Sequence, residues 1–309
     1  MQSSSILTQC LLGTYKDFYH LTKPRLSFVS VFSALIAYGV APKTALTSTG
    51  LGGLGGLVYA MLVAVGIALC AGGAAVLNQW MEYPLDHLMQ RTKDRPIPAK
   101  KVSPNQALIF GLALSLLGLG LLLWISSVLT FVLALLTLVT YLVIYTPMKK
   151  VSPINTLMGA IPGALPPLIG WSAAEGTISL MGWLIFAILF FWQMPHFYAL
   201  AWLYKEDYAA AGFQMLPVKD PDGFLVAQRS IIYTVFLAIS TLLVVALGFA
   251  SWVYLVVVIA LNFYLGVRAY CFLAPENKMG NAQKLFIASI LYLPVLLIVL
   301  LLDISFFCV

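Results

Sequence analysis

Charge is what this sequence has least of. Asp, Glu, Lys and Arg make up 9% of its 309 residues, against 61% hydrophobic, so a soluble globule of this length would lack the polar surface to cover itself. The four cysteines, Cys10, Cys70, Cys271 and Cys308, show no C-x-x-C or other metal spacing and read as buried or lipid-facing apolar residues. Residues 1–13 lack a basic leader with a cleavage site, and an Arg-rich amphipathic transit segment is absent too. A bacterial inner membrane is the expected location. Nucleic acid is not an expected partner, because the net charge of +6 is accounted for by membrane topology and attraction to anionic lipid.

What is present is long apolar stretches. Crossing the hydrocarbon takes roughly 20 apolar residues per helix, and nine such spans are expected: 26–42, 55–78, 105–125, 128–146, 154–174, 178–201, 230–249, 251–270 and 285–305. The seventh and eighth nearly meet at Ala250 and Ser251, so a count of eight is also arguable. Charge favours nine, since of 17 Lys and Arg residues only Lys43 then falls on the second face. By the positive-inside rule the amino terminus is cytoplasmic and the carboxyl terminus periplasmic. The expected fold is all-α, a single transmembrane domain over 1–309 with a short cytoplasmic segment 1–25 and two long cytoplasmic loops, 79–104 and 202–229.

Those loops are where the acids cluster, seven of the eleven Asp and Glu residues: Glu82, Asp86 and Asp94 in the first, Glu206, Asp207, Asp220 and Asp222 in the second. Long loops in a compact protein are often functional. Asn78, Glu82 and Asp86 recur every four residues, so on a helix their oxygens share one face. Such hard donors suit Mg²⁺ carrying a diphosphate, though the trio also reads as an ordinary polar helix end. Pro84 within it predicts a helix that either kinks or ends. Arg91 and Arg95 follow in a basic run that reads either as phosphate contacts or as topogenic charge.

Lys-Lys-Val-Ser-Pro occurs at 100–104 and again at 149–153, which reads as an interface anchor followed by a Ser cap and a Pro-initiated helix. Lys149, four residues after Tyr145, is an interface anchor that also reaches toward an anion between the loops. In the fifth span Pro162, Pro166 and Pro167 predict a kinked or locally unwound helix that packs closely, lines a cavity, or both. His196, the one histidine within a predicted span, is either a functional group or a satisfied interface histidine.

The run Asn78-Gln-Trp-Met-Glu82-Tyr-Pro-Leu-Asp86-His-Leu-Met-Gln-Arg91-Thr-Lys-Asp-Arg95-Pro96 resembles the first aspartate-rich motif of the UbiA-type intramembrane prenyltransferases. Tyr145-Thr-Pro-Met-Lys149-Lys150 with Asn155, the 162–171 stretch, and Trp192-Gln-Met-Pro-His196-Phe running into Tyr204-Lys205-Glu-Asp207 are similar to the branch whose acceptor is a heme. Together they cover roughly residues 20–300. Glu82 stands where an Asp is usual in the wider family.

The resemblance implies a nine-helix bundle around a central cavity and transfer of a farnesyl group from farnesyl diphosphate to heme B, giving heme O. It implies Mg²⁺ at Asn78, Glu82, Asp86 and Asp207, with Tyr145 and Lys149 completing the catalytic set. Arg91, Arg95, Lys205, His196 and Trp192 would bind substrate. Heme B is then a substrate, and association with heme A synthase or terminal oxidase assembly is an expected partnership. Two other readings stand beside it: a family member prenylating an aromatic acid such as 4-hydroxybenzoate, and a transporter, the latter disfavoured because no charged residue lies clearly at midmembrane depth.

Overall fold

A backbone crossing hydrocarbon must satisfy its own hydrogen bonds, which leaves helices as the solution for a chain with this apolar pattern. The computed structural model describes residues 13–42 and 54–307, and its regular structure there is helical throughout. Lys43, Cys10, Cys308 and residues 1–12 lie outside the described residues. Nine long helices follow in order: α1 Pro24–Val40, α2 Leu54–Asp86, α3 Pro104–Ile125, α4 Val128–Val139, α5 Asn155–Glu175, α6 Leu180–Leu203, α7 Phe224–Ala246, α8 Trp252–Cys271 and α9 Lys278–Phe307. α4 continues without a break through a π-helical turn, Thr140–Tyr145, to Met148. Eight of the nine are long and apolar enough to cross a bilayer, and α1, with 17 residues, is the shorter one.

The turn at 247–251 separates α7 from α8, with Gly248 at φ 78°, so the nine-helix reading holds over the eight-helix one. The Asp303 carboxylate near the end of α9 accepts hydrogen bonds from the Ser251 and Tyr254 amides at 2.7 and 3.2 Å, tying the start of α8 to α9 at one end of the bundle. At the other end, the Lys278 ammonium that opens α9 lies 5.9 Å from the Trp202 ring that closes α6. The long connections therefore share one face, as charge placement predicts.

Several boundaries differ from expectation. α2 runs to Asp86, so the expected loop 79–104 begins two turns late and Pro84 sits inside the helix. The proline removes one ladder bond to the Trp80 carbonyl, while tertiary contacts hold the last turn in place. α5 is continuous across its three prolines and is not unwound. Of the two Lys-Lys-Val-Ser-Pro segments, the first caps as expected: Ser103 accepts from the Gln106 amide, the Gln106 side chain accepts from the Ser103 amide, and Pro104 opens α3. The second does not, because α5 begins at Asn155, beyond Pro153.

Small residues bring the helices together, as expected where lipid gives no hydrophobic drive to association. Gly66 and Gly73 on α2 face Gly118 and Gly111 on α3, and a Cβ on Gly118 would lie 2.8 Å from the Gly66 carbonyl oxygen. α5 meets α1 more closely still: a Cβ on Gly170 would lie 1.9 Å from the Ala34 carbonyl oxygen, a backbone atom that no rotamer can move. Gly170→Val is therefore expected to lower the melting temperature of the detergent-solubilised protein by several degrees, since overpacking typically costs about 1–3 kcal/mol. Melting unchanged from the parent would show that α1 and α5 do not approach so closely.

Candidate active site

The two long connections and the ends of α2, α4 and α6 meet over a cavity of about 330 Å³, at the lower end of the usual range for ligand pockets. Its interior wall is apolar, with Ile67, Ala134, Leu138, Pro162, Pro166 and Ile169 among the lining side chains. Its mouth is cationic, because Lys23, Arg91, Arg95 and Lys149 all line it. One carboxylate, Glu82, lines it with them.

The i, i+4 spacing on α2 places Asn78, Glu82 and Asp86 in a row, and each is met by a different cation. Lys23 Nζ donates to Asn78 Oδ1 at 3.2 Å, Lys149 Nζ to Glu82 Oε1 at 2.6 Å, and Arg95 Nη1 to both Asp86 oxygens at 2.9 Å. Asn78 and Glu82 line the cavity; Asp86 is fully buried and sits behind Arg95. The Asp86 carbonyl also accepts from Thr92 Oγ1 at 2.8 Å, turning the chain back so that Arg95 reaches the mouth.

Lys149 owes its place to the π turn. Pro147 would clash with the Val143 carbonyl in a regular helix; the widened turn avoids this, and Thr146 Oγ1 caps the Tyr141 carbonyl at 2.9 Å. Such turns frequently sit at functional sites. Tyr141 and Tyr145 both line the cavity, and Lys149 Nζ lies 4.6 Å from the Tyr145 ring centroid. Burial would lower the Lys149 pKa, but Glu82 at hydrogen-bond distance and the two tyrosines more than offset it, so Lys149 is held charged well above the ordinary lysine value. Lys23 has the opposite balance. Burial, with Arg95 next, holds it down to about 7, against the pull of Glu82 and Asp86.

Asp207 comes to the first connection but not to the cavity lining. Its two oxygens accept from the backbone amides of Gln90 and Arg91 at 3.1 and 3.2 Å, and the Arg91 guanidinium lies 4.9 Å from the Tyr204 ring. The second connection thus grips the first and aims Arg91. Lys205 instead lies over the Trp202 ring at 4.1 Å, away from the lining residues. Trp192 is buried off the cavity, its Nε1 donating to the Ser289 carbonyl at 2.7 Å, while His196 lines the cavity.

Sequence reasoning counted Lys23 as topogenic charge and missed it as a site residue. Its signal lay in the Lys-Pro pair opening the first span: Pro24 fixes the helix start, and Lys23 before it takes a left-handed φ of 46°, a conformation uncommon outside glycine. Gln193 on α6 was missed as well. It lines the cavity while donating to the Ala160 carbonyl at 3.3 Å.

If Asp207 acts through Arg91, then Asp207→Asn and Arg91→Ala should each raise the KM for the diphosphate substrate about tenfold, on the scale of one charge-assisted hydrogen bond. The double variant should be little worse than either alone. Additive losses in the double-mutant cycle would separate the two residues.

An oxygen-rich, cation-lined mouth over an apolar, helix-walled cavity defines an intramembrane enzyme of the kind that holds a phosphorylated lipid by its head and houses its tail. The chain belongs to the UbiA prenyltransferase family, whose model matches residues 27–290. It is 42% identical over 289 residues to a protoheme IX farnesyltransferase of Opitutus terrae, covering 94% of this chain and 95% of that one. It is 41% identical to a protoheme IX farnesyltransferase of Solibacter usitatus, covering 93% and 98%. Among solved structures it is similar to one of digeranylgeranylglyceryl phosphate synthase, with TM-score 0.76 at 17% identity, covering 94% and 98% of the two chains. A UbiA homolog from Archaeoglobus fulgidus bound to GPP and Mg²⁺ shares the fold with TM-score 0.62 at 16% identity, covering 94% and 99%.

Proposed function

We propose that the protein transfers the farnesyl group of farnesyl diphosphate to a vinyl group of protoheme IX (heme B), giving heme O and releasing diphosphate. The observation that carries the reading is the cationic mouth over an apolar cavity, formed by Lys23, Arg91, Arg95 and Lys149. The acceptor follows from relatives named protoheme IX farnesyltransferase that match over 93–94% of the chain. Family membership also removes the transporter reading.

The residues fit a diphosphate-borne Mg²⁺ in kind. Asn78 and Glu82 supply hard oxygens at the cavity lining, and Asp86 continues their row behind Arg95, while the Asp207 oxygens are engaged by the Gln90 and Arg91 amides. Among the described residues no three acidic, His or Cys side chains converge as a metal cage. Mg²⁺ needs none, since one or two carboxylates suffice when phosphate oxygens and water complete its shell. When bound, Mg²⁺ would supply charge stabilisation to the leaving diphosphate.

The protein's own groups do the rest. As the allylic C–O bond breaks, its electron pair leaves on the diphosphate, and the ammonium group of Lys149 and the guanidinium groups of Arg91 and Arg95 are already in place to receive that charge, with Lys23 beside them as a hydrogen-bond donor. The apolar wall keeps water from the farnesyl cation. The vinyl π pair then forms the new C–C bond with farnesyl C1, and water adds to the resulting cation with loss of a proton, leaving a hydroxyl.

The relatives are bacterial, and this reading places the protein in the inner membrane with its amino terminus and charged mouth cytoplasmic. Heme O is too apolar to diffuse through water, which favours association with heme A synthase or with terminal oxidase assembly. The test supplies membranes containing the protein with Mg²⁺, farnesyl diphosphate and heme B. Heme O detected by mass is the expected product, and none formed would sink the reading; 4-hydroxybenzoate serves as the competing acceptor.

A further inference from the structure

His196 is the one histidine among the residues lining the cavity, and the diphosphate site does not use it. His196 lies about two turns inside the end of α6, away from the cationic mouth. Its ring stacks with those of Trp192 and Phe286, with centroid separations of 5.3 and 4.7 Å. Nδ1 lies 2.9 Å from Ser289 Oγ on α9. That hydroxyl is itself 2.6 Å from the Phe286 carbonyl, which can only accept, so the serine proton points there. Nδ1 must then carry the imidazole hydrogen and donate to Ser289. This leaves the lone pair on Nε2, since the ring's hydrogen bond among the described residues is made through Nδ1.

We infer that His196 Nε2 is an axial ligand for the iron of the porphyrin acceptor, with Ser289 as the residue that fixes its tautomer and ring plane. The inference rests on the heme-acceptor reading above. Metal-binding histidines commonly donate the other ring N–H to a partner that sets their orientation, and Ser289 fills that place. Trp192 reinforces it by donating to the Ser289 carbonyl at 2.7 Å, so α6 and α9 hold the ring from two sides.

The competing role, a base that takes a proton from the attacking water, fits this environment poorly. Protonation would create an imidazolium among two aromatic rings and a hydroxyl, with no charged group beside it among the described residues. An unpaired charge within the membrane is costly. The dative Fe–N bond uses the Nε2 lone pair, leaves the ring neutral and changes no oxidation state. It would also fix the porphyrin's depth relative to the diphosphate mouth, which decides the vinyl carbon that farnesyl C1 can reach.

The experiment adds ferrous heme B, without oxygen, to the purified full-length protein in nanodiscs and reads the Fe–histidine stretching band by resonance Raman, with heme affinity from tryptophan quenching. The wild type should show the band. His196→Ala should lose it, bind heme at least about tenfold more weakly, and regain the band with added imidazole. Ser289→Ala should keep the band at lower frequency with affinity reduced about tenfold, the usual effect of removing such a supporting partner. His196→Gln guards against misfolding, and both His196 variants must elute and melt as the wild type does. A wild type without the band, or a His196→Ala protein that keeps it, overturns the assignment. Heme O formation without a His196-dependent band sinks the ligand role and leaves the reaction standing. The band without heme O leaves the iron site standing and sinks the reaction.

Discussion

Lys149→Met is expected to lower farnesyl transfer by about 10²–10³-fold, the loss that follows removal of one preorganised group from a developing anion. Lys149 is the best placed of the four cations for that role. It is held charged, its Nζ reaches the cavity mouth, and the Tyr145 and Phe213 rings, 4.6 and 5.9 Å away, keep it from swinging out. The loss should appear in kcat more than in the KM for farnesyl diphosphate, because the charge it meets grows only as the C–O bond breaks.

The variant also strands Glu82, whose side chain is 7% exposed, and breaking a buried pair in this way typically costs about 3–5 kcal/mol. Glu82→Gln/Lys149→Met removes both charges and serves as the folding control. It should melt closer to the wild type than Lys149→Met does while heme O formation stays low. A folded Lys149→Met protein with near-normal kcat would take Lys149 away from the leaving group.

Much of this was legible in the sequence because the signals are local. Hydropathy and the one-sided placement of Lys and Arg gave the nine helices and the shared face of both long connections. The spacing of Asn78, Glu82 and Asp86 gave one helix face, since it depends only on helical period.

What the sequence hid is tertiary. Pro84 reads locally as a helix end, yet α2 runs on to Asp86, where the ion pair with Arg95 and the Thr92 bond to the Asp86 carbonyl hold the last turn. Lys23 looks like any interfacial lysine until it is found donating to Asn78, 55 residues away. Asp207 carries a carboxylate in a sequence position suited to metal, but its oxygens are spent on the Gln90 and Arg91 amides. The π turn in α4 follows from Pro147 only once the helix is known to continue past it.

Asp86→Ala is expected to abolish turnover, a loss of about 10³-fold or more on the scale of transition-state charge stabilisation, while the protein still inserts and elutes as a single species. Asp86 is fully buried and Arg95 is 18% exposed, so the variant releases a guanidinium at the edge of the mouth, where solvent can reach it, and strands no carboxylate. Two losses then coincide: the row of oxygens behind the mouth loses its carboxylate beyond Glu82, and Arg95 loses the anchor that aims it. Asp86→Asn and Arg95→Gln separate them. If Asp86 serves the metal, Asp86→Asn should need several-fold more Mg²⁺ for half-maximal rate, whereas Arg95→Gln should raise the KM for farnesyl diphosphate with the Mg²⁺ requirement unchanged. If Asp86 serves only to aim Arg95, both variants should raise that KM alike and leave the Mg²⁺ curve where it was. Full activity in a folded Asp86→Ala protein would remove Asp86 from the site altogether.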